Sequence, residues 1–345
     1  MTYTEMKKTL FIVAAALAIT MAGCSGKEKM MHLSGIAQGS YYTITYCDEQ
    51  GRDLQQSIDS LLDDFDKTAS LWKENSLIRR VNDNRDSVVN TLFAELLELS
   101  TEMNRLTEGA FDCTVGPLVE AWGFSFRQRK EMNEHEVDSL RQLCGTQPSI
   151  VQREDGSLVV RKKRQEMRVD FNAIAQGYAS DMVAHFLQQQ GIANYIVDIG
   201  GEVVAHGKKP DGTKWVVGIE KPAKNRDDAR KIETSIQLTD CAVVTSGSYR
   251  KYYEKDGERY SHTIDPRTGK PVEHNLLSVT VIDTSAWRAD ALATAFMVMG
   301  VERAMEFIKQ HPEDSGTQAV LFISADGDDY KVTETEGMKQ LKTNN

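Results

Sequence analysis

The length, composition and charge of the chain limit the classes of protein to which it can belong. Its 345 residues are enough for one large domain or two ordinary ones, and a hydrophobic content of 40% can supply a real core. The net charge of −10 and the pI near 5.3 argue against a general nucleic-acid binder, because such a protein carries a basic face. A local basic pocket for phosphate groups is compatible with this balance.

The N-terminal residues have the features of an export signal. Lys7 and Lys8 precede an apolar run over Leu10–Ala18, which is too short for a comfortable membrane span. The sequence Met21–Cys24 then resembles the lipobox of bacterial lipoproteins, in which the cysteine is lipidated after cleavage. An ordinary signal peptide with a chance cysteine is the alternative, which the small residues before Cys24 and the polar residues after it disfavour.

These features define the predicted organisation of the chain. We predict a lipoprotein signal peptide over residues 1–23, lipidation of Cys24, a tether over 24–33 and a single domain over 34–345. Each buried methylene of an acyl chain contributes about 0.8 kcal/mol, so several chains would anchor the protein firmly. The predicted location is the periplasmic side of a bacterial membrane, with the inner membrane favoured over the outer.

The cysteines after Cys24 form no CxxC motif and no metal-ligand spacing. Disulfide bonds are possible in an oxidising compartment, but free buried thiols are favoured for a domain of this size. These cysteines are Cys47, Cys113, Cys144 and Cys241.

Apolar residues at helical spacing predict the first helices. Residues 52–66 and 91–107 each carry a continuous apolar face. Asn133, with a glutamate three residues later, predicts a helix N-cap and its partner carboxylate, and this helix is expected to end at Gly145.

Turn signals between alternating runs predict hairpins in the second half of the chain. Asp155-Gly156 and Asp256-Gly257 are such signals, and Asp326-Gly327 is a third. Residues 194–200 and 276–283 are predicted as buried strands.

Helical spacing returns over 173–190, which Gly191 ends, and over 290–299 and 302–310. Residues 109–124 lack a helical period and predict a structured loop. The mixture of hairpins and packed helices predicts an α+β fold with mainly antiparallel sheet.

Asp290 and Thr294 form the first candidate site. They are four residues apart, so a helix would place them on one face among apolar neighbours, where an unpaired charge is costly. A carboxylate with a hydroxyl is oxygen-only ligation, which suits Mg²⁺ rather than zinc. On spacing alone, however, an aspartate that caps the helix N-terminus is the favoured interpretation.

The segment 169–181 is a candidate phosphate site. Asp170 is predicted to end a strand and a helix to begin near Ala173, so that the unpaired N–H groups of the first turn could bind phosphate. Gly177 would let a ligand or a neighbouring element approach the helix. Simple strand-to-helix packing is the alternative, and the lack of GxGxxG and Walker A sequences disfavours the common nucleotide sites.

Residues 261–271, SHTIDPRTGKP, predict a rigid polar turn, because Pro266 fixes its own φ and Gly269 permits a positive φ. Ser246, on the preceding segment, could donate a hydrogen bond to phosphate oxygens. His262 by itself is compatible with phosphate contact, with general-base chemistry or with a structural role.

Together these stretches resemble the ApbE family, the FAD:protein FMN transferases. The resemblance extends from about Gly35 to about Ile323 and is specific because six stretches match in the family's order. They are ASLWKENSLIRRVN (69–82), GAFDCTVGPL (109–118), VDFNAIAQGYASD (169–181), NYIVDIGGEV (194–203), TSGSYRKYYEKDGERYSHTIDPRTGKP (245–271) and ADALATAFMVMG (289–300).

The resemblance implies a particular reaction. An enzyme of this family uses Mg²⁺, splits the pyrophosphate of its substrate FAD, passes FMN to a threonine or serine hydroxyl of a target flavoprotein and releases AMP. The implied partner is an acceptor flavoprotein, such as a subunit of a membrane electron-transfer complex or another exported protein. No nucleic-acid partner is implied.

The resemblance also implies roles for individual residues. Asp290, Thr294 and the backbone carbonyl of Ala173 would hold Mg²⁺, and this ligand role takes precedence over the capping role of Asp290. His262 and Asp290 would act in catalysis. The implied contacts to FAD are Gln38, Trp72, Ala110, Phe111, Asp112, Asp170, Gln176, Ser246, His262 and Ile264.

Three positions depart from the family pattern. Gln176 stands where members often have lysine, Gln38 begins Gln-Gly-Ser where Met-Gly-Thr is frequent, and Cys113 stands where proline is common. In the polar turn, Asp265 and Arg267 are expected to pair with each other rather than with the reacting phosphorus.

Two other functions stay open at this point. One is hydrolysis of FAD to free FMN and AMP at the same site, and the other is flavin storage or delivery by a non-enzymatic lipoprotein. The Asp290 and Thr294 pair argues against storage, because storage needs no catalytic metal.

Overall fold

The computed structural model describes residues 28–124, 132–223, 229–248, 263–312, 319–327 and 329–343, together with the backbone of 252–255 and 258–261. The predicted signal over 1–23, Cys24 and His262 lie outside the described residues. Within these ranges, no helix is both long enough and apolar enough to cross a bilayer.

Helices and hairpins alternate along the described chain. The helices are α1 (Gln55–Ala69), α2 (Leu77–Asn82), α3 (Thr91–Leu106), α4 (Gly116–Ala121), α5 (Glu134–Arg141), α6 (Ala175–Gln189), α7 (Ala286–Gln310) and α8 (Glu336–Leu341). The strands are β1 (Lys29–Ala37), β2 (Ser40–Asp48), β3 (Val88–Val89), β4 (Ser149–Gln152), β5 (Leu158–Arg161), β6 (Tyr195–Ile199), β7 (Glu202–His206), β8 (Trp215–Lys221), β9 (Lys231–Leu238), β10 (Cys241–Gly247), β11 (Tyr252–Lys255), β12 (Glu258–Ser261), β13 (Ile264–Asp265), β14 (Lys270–Pro271), β15 (Leu276–Asp283), β16 (Ala319–Asp326) and β17 (Asp329–Glu334).

An eight-stranded sheet, in the order β1-β2-β6-β7-β10-β15-β16-β17, forms the centre of the described structure. All of its pairings are antiparallel, which confirms the predicted α+β class. Successive side chains of a strand point to opposite faces, so Val243 and Val244 of β10 belong to two different cores. Helices α6 and α7 cover one face, and α8 with the β8–β9 ribbon covers the other.

The predicted helices are present, with ends set by their caps. α1 and α3 occupy the two apolar segments of the first half, and α6 ends just before Gly191, whose φ of 79° breaks the helix. α5 opens with the predicted capping box, in which Asn133 and Glu136 exchange two hydrogen bonds of 3.0 Å. It ends at Arg141, one turn earlier than the predicted stop at Gly145.

Helix α7 is interrupted at Gly300, between the two segments predicted as helical. Gly300 has φ 74° and ψ 170°, a conformation that only glycine adopts readily. His274 lies at this break, where its Nε2–H donates to the Met297 carbonyl at 2.8 Å and its Nδ1 accepts from the Leu276 amide. Burial lowers the pKa of His274, which favours the neutral ring that this pair of bonds requires.

The hairpin predictions hold where the turns are described. β4 pairs with β5 around Asp155-Gly156, and β16 pairs with β17 around Asp326-Gly327. β11 and β12 pair on either side of Asp256-Gly257, two residues that lie outside the described part. Cys47, Cys113, Cys144 and Cys241 all carry free thiols.

Two segments differ from the expectations. The sequence predicts a tether over 24–33, but residues 29–33 begin β1 and pair with β2, because alternate side chains of this strand pack on the core. The sequence predicts a loop over 109–124, but this segment includes α4. Pro117 lies in the first turn of α4, where its missing N–H is not needed.

Asp170 does not end a strand, as residues 167–170 are irregular. Its amide donates to the carbonyl of Cys113 at 2.7 Å, and the preceding amide of Val169 donates to the Asn82 side chain at 2.7 Å. These two amides therefore bond to a loop and to a side chain, not to a neighbouring strand.

Helices α6 and α7 approach closely at their first turns. A Cβ atom built on Gly177 would lie 2.3 Å from the carbonyl oxygen of Ala286 and 2.8 Å from the Cα atom of Trp287. Both are backbone atoms, so a side-chain rotation cannot relieve the overlap. The glycine is therefore required by a neighbouring helix, one of the two possibilities that its position suggested.

We predict that Gly177→Ala destabilises the protein. Helix propensity alone favours alanine by about 1 kcal/mol, whereas forcing extra atoms into a packed contact costs about 1–3 kcal/mol. Chemical denaturation should therefore show a lower free energy of unfolding than that of the wild type. A variant as stable as the wild type, or more stable, would contradict the close contact.

Candidate functional site

Helix α7 brings three of the predicted site residues together. Asp290 is buried, and its Oδ2 accepts a hydrogen bond from the Gly177 amide of α6 at 3.2 Å. One turn later, Oγ1 of Thr294 lies 3.4 Å from Oγ of Ser246 on β10. Ser285 is the N-cap residue of α7, so Asp290, in the second turn, does not cap the helix. The capping interpretation is therefore wrong.

Ala173 lies in the turn before α6, four residues before Gly177. In a regular helix the Gly177 amide would bond to the Ala173 carbonyl, but here it donates to Asp290. The turn that carries Ala173 is thus next to the Asp290 carboxylate. Together with Thr294 these residues supply a carboxylate, a hydroxyl and a carbonyl, which are the oxygen donors that Mg²⁺ prefers.

The electrostatics at Asp290 favour a positive ligand. Burial raises the pKa of Asp290 to about 7, although the hydrogen bond from Gly177 opposes this shift. A buried carboxylate is costly without a positive partner, and a bound cation would lower that cost. The described residues contain no group of three or more His, Cys, Asp or Glu side chains that could hold a metal. The predicted donor set has only one such side chain.

The predicted flavin-contacting stretch Ala110–Asp112 lies against Asp170. All three of its residues are buried, and the Asp170 amide donates to the Cys113 carbonyl that follows the stretch. Burial raises the pKa of Asp170 to about 6, while its Oδ1 accepts from the Asn172 amide at 2.8 Å. The structure thus brings these two predicted contacts side by side.

The side chain of Asp112 is fully engaged within the protein. Its Oδ1 accepts from the amide and hydroxyl of Thr114 and from the side chain of Gln147, at 2.7–2.8 Å. Its Oδ2 accepts from the Gly145 amide at 2.7 Å. The carboxylate therefore stabilises the fold around the stretch, and ligand contacts here would come from the backbone.

Gln38 and Trp72 lie on two neighbouring turns. Gln38 occupies the β1–β2 turn with φ 53°, and its backbone faces the Asp66 carboxylate near the end of α1, where it lowers the pKa of that group against the effect of burial. Lys73, next to Trp72, lies 3.8 Å from the same carboxylate. Both polar atoms of the Gln38 amide group are buried without a hydrogen-bond partner among the described residues, and Trp72 is 62% exposed. An unpartnered amide and an exposed indole are features that suit a ligand.

Gln176 lies at the β6–β7 turn. A Cβ atom on Gly200 would lie 2.5 Å from Nε2 of Gln176, so the two residues are in close contact. The Gly200 amide in turn donates to the Tyr41 carbonyl at 3.0 Å, next to the β1–β2 turn. Gln176, in the first turn of α6, therefore lies close to the end of the sheet that carries the Gln38 turn.

The polar turn is held by an ion pair, as predicted. Arg267 donates two hydrogen bonds of 2.8 Å to the Asp265 carboxylate. Ile264 is buried and pairs with Pro271, and the Trp122 indole donates to the Gly269 carbonyl at 2.9 Å. These contacts hold the turn rigidly beside α4. His262, predicted to contact phosphate, lies outside the described residues.

Asp181 is a site-supporting residue that the sequence did not single out. Its two carboxylate oxygens accept from the amides of Ala286 and Trp287, each at 2.9 Å. Burial raises the pKa of Asp181 to about 6. The only sequence signal was its spacing of four residues from Gly177, which places both on one face of α6.

Two clefts in the described structure lie apart from these residues. One of about 630 Å³ lies between α4 and α5 and is lined in part by Pro117, His135 and Arg168. Another of about 610 Å³ is lined in part by Arg85 and Lys162. Neither contains a predicted site residue.

Comparisons with known proteins agree on one family. The family model of the ApbE family matches residues 38–321. The chain is 40% identical over 304 residues to a Vibrio cholerae protein named FAD:protein FMN transferase, covering 86% of this chain and 89% of that protein. It is 33% identical over 336 residues to an Escherichia coli K12 protein of the same name, covering 93% of each.

Solved structures give the same result. The flavin transferase ApbE from Vibrio cholerae superposes with a TM-score of 0.76 at 37% identity, covering 91% of this chain and 99% of that one. The apo flavinyl transferase ApbE from Pseudomonas stutzeri superposes with a TM-score of 0.78 at 33% identity, covering 92% of this chain and 98% of that one. The fold around the candidate site is therefore the fold of these proteins.

We predict that Asp112→Ala destabilises the protein by about 3 kcal/mol or more, because each buried donor left without a partner costs about 1–3 kcal/mol. Asp155→Ala is the matched control. Asp155 bonds in the same way to the amide and hydroxyl of Ser157, but on an exposed turn. Urea denaturation of both variants measures the difference. Equal losses would contradict the structural role assigned to Asp112.

Proposed function

The chain belongs to the ApbE family and is an enzyme, a flavin transferase; from that premise we propose that it transfers FMN from FAD to a threonine or serine hydroxyl of a target flavoprotein. In this reaction the acceptor oxygen forms a bond to the phosphorus of the FMN half and loses its proton. The P–O bond to the other half breaks, and AMP leaves with the bonding electron pair. The observation that carries the proposal is that α7 brings Asp290 to the first turn of α6 and Thr294 to Ser246 of β10.

The proposed metal is Mg²⁺, held by Asp290, Thr294 and the Ala173 carbonyl. When bound, it would supply positive charge to the diphosphate oxygens as the bond to AMP breaks. Support for this assignment comes from the buried Asp290 carboxylate, which has no salt-bridge partner among the described residues, and from the all-oxygen donor set.

The protein's own groups would position the substrate. The Ser246 hydroxyl, close to Thr294, can donate to a phosphate oxygen. The polar turn around Ile264 would hold the edge of the diphosphate site, with Asp265 and Arg267 keeping it rigid through their ion pair. Because Arg267 is engaged with Asp265, we assign it a supporting role and no contact with the reacting phosphorus.

Incubation with FAD, Mg²⁺ and an acceptor flavoprotein tests the reaction. Transfer gives flavin fluorescence that stays with the acceptor after denaturation, with one AMP released for each FMN attached. Free FMN and AMP in equal amounts, with no labelled acceptor, would instead establish hydrolysis. Unchanged FAD would support a flavin-storing protein.

We further propose that the enzyme is a lipoprotein on the periplasmic side of the inner membrane, where it modifies a subunit of an electron-transfer complex. The support is the Met21–Cys24 sequence after a short apolar run. An anchored enzyme and a subunit of a membrane complex would also lie at the same membrane surface, where the enzyme can reach the acceptor hydroxyl.

We predict that Asp290→Asn loses most Mg²⁺-dependent FMN transfer, by about 100- to 1,000-fold, because it removes a charge that holds the metal. Thr294→Val should lose less, since water can replace a neutral oxygen. Glu302→Gln, on an exposed position of the same helix, is the matched control and should keep wild-type activity. Wild-type turnover by a folded Asp290→Asn variant across a Mg²⁺ titration would refute the metal assignment.

We also predict that Cys24→Ala abolishes lipidation. The variant should appear in the soluble fraction or remain unprocessed, as measured by membrane fractionation and by the mass of the mature N-terminus. Normal processing together with membrane retention would show that the anchor lies elsewhere.

A further inference from the structure

The first turns of α6 and α7 are joined by contacts from one face of α6. Gly177 and Asp181, four residues apart, both point at α7. Gly177 packs on the Ala286 carbonyl and donates its amide to Asp290. Asp181 accepts from the amides of Ala286 and Trp287 at 2.9 Å each.

These amides belong to the group of helix N–H donors that have no partner within the helix. A side chain at the N-cap position usually accepts from one of them, but Ser285, the N-cap residue of α7, makes no such bond. Asp181 therefore supplies the cap from a neighbouring helix. A cap supplied in this way also ties the two helices together, which a cap within α7 would not do.

The contact between Asp181 and the start of α7 fixes the positions of the proposed metal ligands. Asp290 is four residues and Thr294 eight residues after Ala286, so all three lie along one side of α7, one and two turns from the capped end. Ala173 lies in the turn just before α6 begins. A sliding or tilting of α7 against α6 would change the distance between the Ala173 carbonyl and the Asp290 carboxylate.

We infer that Asp181 is a positioning residue for the metal site, acting by capping α7 from α6. Within the described residues its hydrogen bonds go to the backbone of α7 and to none of the proposed ligands. The inference rests on the proposed function, since it concerns the metal site proposed above. Its effect should appear in metal affinity rather than in stability alone.

The test is direct binding of Mn²⁺ as a probe of the site, measured by electron paramagnetic resonance with FAD present. Asp181→Asn keeps the shape of the side chain but turns one acceptor oxygen into an NH₂ group, which cannot accept from the second amide. We expect its affinity for Mn²⁺ to fall roughly 10- to 100-fold, as is usual when a residue that supports metal ligands is replaced.

Asn90→Ala is the matched control for helix capping as such. The Asn90 side chain caps α3 by accepting from the Phe93 amide at 2.9 Å, and α3 carries no proposed metal ligand. This variant should lose stability but keep wild-type Mn²⁺ affinity. If Asp181→Asn and Asn90→Ala both bound Mn²⁺ like the wild type, the positioning role would be overturned while the metal assignment stood.

Asp290→Asn separates the two proposals. It should abolish Mn²⁺ binding, and if it bound Mn²⁺ like the wild type, the metal assignment and the positioning role would both be overturned. Should Asp181→Asn prove too unstable to purify, Asp181→Asn with Ser285→Asp adds a cap within α7, while the tie to α6 keeps at most one of its two hydrogen bonds. Weak Mn²⁺ binding by this stabilised double variant would support the positioning role, and wild-type affinity would overturn it.

Discussion

The close approach of α6 and α7 is the contact on which the candidate site depends. It requires a residue without a side chain at Gly177, because backbone atoms of α7 occupy the space that a Cβ atom would need. It also requires a hydrogen-bond acceptor at Asp181, because the first amides of α7 are turned into the interface. The same contact diverts the Gly177 amide to Asp290. The contact between α6 and α7 thus determines how closely the helices approach, how α7 is capped and where the Asp290 carboxylate lies.

The site also concentrates buried carboxyl groups. Burial raises the pKa of Asp170 and Asp181 to about 6 and that of Asp290 to about 7, against a usual value of 3.8. The folded protein therefore holds these protons more tightly than the unfolded chain does. Stability from this source is present at low pH and is lost as the pH rises from about 4 through the folded-state pKa values. Near neutral pH, burying these ionised carboxylates lowers the free energy of unfolding. The two hydrophobic cores, one on each face of the sheet, offset this loss.

Sequence patterns predicted the parts of this architecture that are determined locally. The capping box at Asn133, the strand over 276–283 and the division of α7 at Gly300 follow from residues close together in the chain. The short helix α4 was missed because one and a half turns carry too few residues to show a period. The start of β1 was missed because its partner strand, not its composition, makes it part of the sheet.

Features that depend on distant residues were beyond local patterns. Spacing alone favoured a capping role for Asp290, and only the position of Ser285 at the helix start excludes it. The partners of Asp181 lie more than 100 residues away. Asp112 looked like a ligand contact, yet its carboxylate is used to fold the loop that reaches Gly145 and Gln147. The family resemblance named Asp112 and Asp290 as site residues, but it did not reveal the hydrogen bonds that each makes within the fold.

The early start of β1 has a consequence for how the enzyme would meet its partners. Lys29 already belongs to the sheet, five residues after Cys24. Fully extended, that connection spans at most about 18 Å. If Cys24 carries the proposed lipid, the domain can swivel but cannot move away from the bilayer, and it diffuses in a thin layer along the membrane surface. Acceptor hydroxyls within that layer would be met by lateral diffusion in two dimensions, and those held further out would be excluded by geometry, whatever their sequence.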